Sequence, residues 1–228
     1  MDELWQGLVR AIQLIVSLDA EVVEITRRSL AISATSCSIV TLISVPLGSL
    51  IHFSHFPGKR ALISVIQTLF SLPTVVVGLF VFVLFSRAGP LGELGIMFTP
   101  TVMVVGQVIL VTPLILGLVI SALRSVDRAI PETAISLGAS RFQAAVVTLR
   151  EGRYAVLTSV IMGFGRALSE VGLALMVGGN IKGFTRTLTT AISLETSKGD
   201  IELSMALGII LLLMALTINV ALNRLQQR

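Results

Sequence analysis

Residues 94–123 read LGIMFTPTVMVVGQVILVTPLILGLVISAL, a run with no Asp, Glu, Lys or Arg. That exceeds the roughly 20 apolar residues that cross a 30 Å hydrocarbon core as a helix. Charge-free runs also occupy 29–58, 61–86 and 203–223, and 154–177 is equally apolar apart from Arg166 and Glu170. Lipid offers no partner to a free backbone N–H, so these segments read as helices. The expectation is an all-α membrane protein with five transmembrane helices, at about 29–51, 61–86, 101–122, 154–177 and 203–222. Buried helices of a large soluble protein would need far more polar surface than this chain carries.

Composition agrees. Of 228 residues, 54% are hydrophobic and 13% charged, about half the charged share of an ordinary globular domain; the mean hydropathy is +0.93. These values exclude a disordered chain, a disulfide scaffold and a basic nucleic-acid binder. Cys37 is the single cysteine, so no intrachain disulfide forms. Aromatics are only 5%, which leaves a thin interfacial belt.

An N-terminal segment, 1–28, precedes a single transmembrane domain, 29–228. The segment opens Met-Asp-Glu and ends Arg27-Arg28, unlike a cleavable signal peptide. Leu4, Trp5, Leu8, Ile12, Ile15 and Val16 share a helical stripe, with Arg10 and Gln13 off it. About 15 residues with a central Arg are too short to span, so an interfacial amphipathic helix is expected.

If the N-terminus lies outside, the inner segments 52–60, 123–153 and 223–228 hold nine cations (Lys59, Arg60, Arg124, Arg128, Arg141, Arg150, Arg153, Arg224, Arg228) against Asp127, Glu132 and Glu151. The outer segments hold seven cations and nine acids. The positive-inside rule therefore chooses N-terminus out and C-terminus in the cytoplasm. Pro46, Pro73 and Pro113 fall inside expected spans, with Ser44, Thr74 and Thr112 near enough to help satisfy freed carbonyls. Kinks beside a pathway and simple packing both explain them.

The inner loop 123–153 carries its own punctuation. Pro131 suits a first helical turn, Glu132 favours the positive end of the helix dipole, and Ala134, Ile135 and Leu137 form an apolar patch. Gly138 closes the helix, and a second helix follows from Ser140 to Leu149. A short capped helix between two spans is a shape that a soluble partner can grip.

Glu132-Thr133-Ala134 followed by Gly138-Ala139 resembles the E-A-A-x-x-x-G loop of ATP-binding-cassette (ABC) importer permeases. The family pattern continues with Ile-x-Leu-Pro, where this chain has Thr148-Leu-Arg150-Glu151. Residues 163–183, GFGRALSEVGLALMVGGNIKG, are similar to the molybdate and tungstate branch, with its Arg-Ala-x-x-Glu-x-Gly helix before Gly-Asn-Ile. Residues 179–196, together with Trp5-Gln-Gly and Arg28-Ser29-Leu30, look closest to the tungstate-type permeases.

The resemblance implies a type I importer permease in a prokaryotic cell membrane, moving an oxyanion, tungstate first, by alternating access. Molybdate, sulfate or another anion is the alternative cargo. Implied partners are a second copy of the chain, a cytoplasmic ABC ATPase dimer and an extracytoplasmic substrate-binding protein. ATP and Mg would reside on the ATPase, with no cofactor in this chain. Pro131, Glu132, Thr133, Ala134, Gly138 and Ala139 would form the ATPase-coupling helix.

Arg166 and Glu170 are four apart, hence stacked on one helical face. Charges at membrane depth cost at least about 2.5–3.5 kcal/mol each, so they face a partner or a wet path. A self-neutralising pair and a gate at the dimer axis both fit. Gly163, Gly165, Ala167, Gly172 and Ala174 on the same expected helix permit close packing. Gly179 and Asn180 break it near the outer face. Beyond them Thr185, Arg186, Thr189 and Thr190 offer donors for a tetrahedral dianion; a solvated helix capped by Thr185 is the competing reading.

No G-x-x-x-x-G-K-[ST] occurs, so no P-loop is expected. His52 and His55 lack a carboxylate at ligand spacing, and no hydrolytic triad is visible, so neither a metal nor a catalytic site is expected. A stand-alone secondary transporter would carry inverted repeats with a broken helix in each half; five spans do not divide equally.

Overall fold

The computed structural model describes residues 2–226, with side chains described for 5–220 and Arg224. The side chain of Leu4 and the whole of Arg228, both used above, lie outside the described residues. Eleven helices are described: α1 (Asp2–Val16), α2 (Ala20–Phe53), α3 (Lys59–Thr68), α4 (Thr74–Phe85), α5 (Pro100–Arg124), α6 (Ala129–Ser136), α7 (Arg141–Glu151), α8 (Arg153–Leu168), α9 (Gly172–Gly178), α10 (Leu188–Lys198) and α11 (Ile201–Gln226). Among the described residues there is no strand.

Three of these, α2, α5 and α11, are long and apolar enough to cross a membrane unbroken. The α3/α4 and α8/α9 pairs reach that length only when each is counted as one broken span. The expected continuous helices at 61–86 and 154–177 are therefore corrected. In the first, Pro73 is not inside a helix. Leu72 is extended (ψ 125°), as a residue before proline prefers, and Pro73 stands at the N-cap of α4. Pro46 and Pro113 do lie inside α2 and α5. Their expected helpers act elsewhere or not at all: Thr112 Oγ1 donates to the Val108 carbonyl at 2.6 Å, and the buried Ser44 hydroxyl has no partner.

The first span starts earlier than 29. Asp19 accepts the Val22 N–H at 3.0 Å, capping a helix that runs unbroken to Phe53. Its charged first turns are matched in charge: Glu24 pairs with Arg28, and Glu21 meets Lys182 (2.6 Å) and Arg186 (3.2 Å). The segment boundary expected at 28/29 thus falls within α2.

The chain divides into two compact units, Met1–Ser36 with Pro73–Gln107 and Gly165–Arg228, and Cys37–Leu72 with Val108–Phe164. In the first unit, α1 packs along α11. Gly7 brings the backbones together, since a Cβ there would lie 2.8 Å from Met205 Cβ. Ala11 and Leu14 continue this edge into a core with Val22, Ile25, Leu188, Ala206, Leu207 and Ile210. The stripe Trp5, Leu8, Ile12, Ile15 and Val16 faces outward instead. Small residues, not the large apolar stripe, make this helix contact, as is usual where lipid solvates large apolar side chains equally well. In the second unit, Ile63, Ile66, Leu116 and Ile120 form a core flanked by Ile51 and Phe70. Large apolar side chains stay exposed along α2, α4 and α11, among them Leu42, Leu50, Phe80, Leu212 and Leu216. Such surface suits hydrocarbon, not water.

Candidate coupling helix and pathway segment

In the second unit, α6 is a two-turn helix built from local signals. Asp127 accepts the Ala129 N–H at 2.9 Å, and the helix begins two residues before Pro131. Its end is a Schellman turn: the Gly138 N–H donates to the Ile135 carbonyl (2.9 Å) and the Ala139 N–H to the Ala134 carbonyl (3.0 Å). Gly138 takes φ 91° with open space around its Cα, a left-handed conformation that costs other residues about 1 kcal/mol. The following α7 starts at Ser140 through a capping box with Gln143. Around these caps, Ile135, Leu137 and Phe142 are 52%, 84% and 78% exposed. Glu132 and Thr133 are exposed, while Pro131, Ala134 and Ala139 are half-buried. Phe142 was not singled out above; a large apolar residue two positions past a surface N-cap was its signal.

In the first unit, Glu170 ties several elements together. Its helix has ended at Leu168, so Arg166 and Glu170 do not stack on one continuous helix; their side chains meet at 3.1 Å across the break. Glu170 is 3% exposed, and its second carboxylate oxygen accepts the Leu173 N–H at 2.9 Å, capping α9. Its backbone carbonyl accepts the Thr189 hydroxyl at 2.8 Å. Gln107 donates to the Ala167 carbonyl at 3.1 Å, while its own amide oxygen is buried without a partner. A lone amide in the run 94–123 signalled this contact. A residual void of about 10 Å³ lies among Ser33, Gln107 and Glu170.

The small residues are split by the break. A Cβ on Gly163 would collide with Ile115, whereas Gly165 meets nothing within 4 Å. Glycines also seat α9: added Cβ atoms at Gly78 and Gly106 would press on Leu173, and one at Gly178 on Met103. Gly179 (φ 70°) and Asn180 (φ 50°) then turn the chain left-handed out of α9.

The hydroxyls beyond are engaged inside the fold. Thr185 Oγ1 donates to the Gly178 carbonyl at 2.5 Å and accepts the Ile181 N–H at 2.9 Å. Thr190 Oγ1 accepts the Thr187 N–H at 2.9 Å in a capping box for α10, and Asn180 donates to the Thr190 carbonyl at 3.2 Å. The cap of α10 is thus Thr187, not Thr185. Thr185, Thr189 and Thr190 are all buried, and Arg186 pairs with Glu21. Among the described residues, no group of three or more His, Cys, Asp or Glu is gathered to hold a metal.

Residues 44–228 match the family model described as binding-protein-dependent transport system inner membrane component. The chain is 39% identical over 227 residues to the tungstate uptake system permease protein of Peptoclostridium acidaminophilum, with all of both chains covered. It is 40% identical over 211 residues to a probable anion ABC transporter permease protein of Haloferax volcanii, covering 90% of this chain and 91% of the other. Among solved structures it superposes, at 18% identity and a TM-score of 0.76, on a chain of a bacterial alginate ABC transporter in complex with an alginate-bound periplasmic protein, covering 97% of this chain and 86% of that one.

Proposed function

Because the chain belongs to the family of binding-protein-dependent transport system inner membrane components and has the all-helical fold of type I ABC importer permeases, we propose that it is the multi-pass permease subunit of an ATP-driven tungstate importer. Full-length similarity to a tungstate uptake permease supports the cargo. Molybdate and sulfate are the competing oxyanions, and titration calorimetry of the partner binding protein with all three decides among them.

Counting each broken pair once gives five spans, with the N-terminus outside and α6 in the cytoplasm. Two copies form the pathway. A binding protein delivers the ion outside, and two ATPase subunits carrying ATP and Mg grip α6 inside. Nucleotide-driven closure pulls on α6 and, through its covalent neighbours α5 and α7, on the spans. In the first unit, Arg166 and Glu170 act as a gate pair, with Gly179 and Asn180 forming the left-handed turn that ends α9. Thr185, Arg186, Thr189 and Thr190, proposed from the sequence as anion contacts, serve better as the frame that holds this turn, since their groups are already bonded within the fold.

The observation that carries the reading is the exposed apolar knob of Ile135, Leu137 and Phe142 at the capped junction of α6 and α7. Leu137→Asp and Glu132→Lys, both at exposed positions, are expected to abolish co-purification of the ATPase while leaving the thermal midpoint of the permease unchanged. Wild-type recovery of the ATPase with both variants rejects α6 as the coupling helix.

A further inference from the structure

Within the second unit, a basic cleft runs beside α6 and plays no part in the cycle above. Two adjoining cavities, of about 430 and about 480 Å³, share His52, Arg124, Arg128 and Pro131. The larger adds His55, Lys59 and Glu132 to its lining, with Phe53 and Ile135 as an apolar wall. Lys59 Nζ donates to the His52 and Ser54 carbonyls at 2.6 and 3.0 Å. Two of its three donors thus fix the ammonium across the end of α2, leaving one for a ligand.

Neither Arg124 nor Arg128 makes an ion pair among the described residues. Asp127, the nearest acid in sequence to both, is engaged at the start of α6. The lining therefore brings Lys59, Arg124, Arg128 and two imidazoles to one carboxylate. Like charges gathered without counter-charge repel, and two guanidiniums form the planar donor forks that recognise a phosphate group bidentately.

We propose that this cleft binds a phosphate-type oxyanion, which braces α6 against the ends of α2 and α5. The shared chemistry is a tetrahedral, acceptor-only anion, supplied either as a free dianion or as the phosphate of an anionic lipid. Pro131 and Glu132 are shared with the proposed coupling helix, but the test needs neither ATPase nor transport, so its failure and the failure of the proposed function are distinguishable.

The test is amide hydrogen exchange of residues 124–137 in the full chain, held in phosphatidylcholine nanodiscs with and without inorganic phosphate, and in phosphatidylglycerol nanodiscs without phosphate. Exchange is expected to slow about threefold at a ligand concentration twice the Kd. Slowing by inorganic phosphate identifies the free ion, and slowing by phosphatidylglycerol alone identifies the lipid; either supports the site. The double variant Arg124→Gln/Arg128→Gln should lose the response, and Arg60→Gln, whose side chain does not line the cavities, should keep it. No slowing under either condition, equal slowing in the double variant, or equal loss in Arg60→Gln overturns the proposal.

Discussion

Glu170→Ala is the most informative perturbation because one carboxylate serves two partners. Its removal takes away the acceptor for the Leu173 N–H, in a residue that is fully buried. Losing this cap strands a buried N–H, at a cost of about 1–3 kcal/mol. The ion pair adds little, roughly 0–1 kcal/mol, since the Arg166 side chain is 35% exposed and water takes over its solvation. The sum is about 1–4 kcal/mol. At about 2–4 °C per kcal/mol for a chain of this length, the thermal midpoint in nanodiscs should fall by about 8 °C. Glu170→Gln separates the two roles, because its amide oxygen still accepts from Leu173 while the charge is gone. It should recover more than half of the loss. A Gln variant as damaged as Ala would show that charge, not capping, is what the fold needs. An Ala variant within 2 °C of the parent would refute the reasoning altogether.

Two further outcomes are expected. Gly7→Leu drives a branched side chain into Met205 and Glu202 of α11; overpacking of about 1–3 kcal/mol should speed amide exchange throughout α1 by about tenfold, and unchanged exchange would show that α1 is not held by this edge. Thr187→Ala removes the capping box of α10 at a cost of about 1 kcal/mol. Exchange at Leu188–Ala191 should quicken about fivefold, and Thr187→Ser should restore it; identical behaviour of the two variants would discount the hydroxyl.

The legible part of the chain was the part with local causes. The caps at Gly138 and Ser140, and the charge-free runs that became α2, α5 and α11, follow from residues close together in sequence. What escaped depends on distant partners. Pro46 and Pro113 are absorbed by continuous helices while Pro73 ends one, and no local feature of the three stretches separates them. Arg166 and Glu170 show the same limit: spacing predicted the pair, but only the seating of α9 against Gly78 and Gly106 turns the helix aside between them. On α1 the large apolar stripe drew the eye, yet the edge of Gly7, Ala11 and Leu14 makes the contact, because close backbone approach at Gly7 and Ala11 rewards small side chains where lipid is the solvent. The threonines after Asn180 read as donors for an anion; their engagement by Gly178, Glu170 and Thr187 is a matter of tertiary placement.

The contact of α1 with α11 has a bearing on biogenesis. Gly7 and its neighbour Met205 are 205 − 7 = 198 positions apart, and a ribosome adding about 5–20 residues per second needs roughly 10–40 seconds to bridge that interval. Throughout that time the glycine edge of α1 has no mate and is open to whatever passes in the nascent bilayer. α11 is therefore the clasp that completes this contact, and termination before it would leave the glycine edge of α1 without a home.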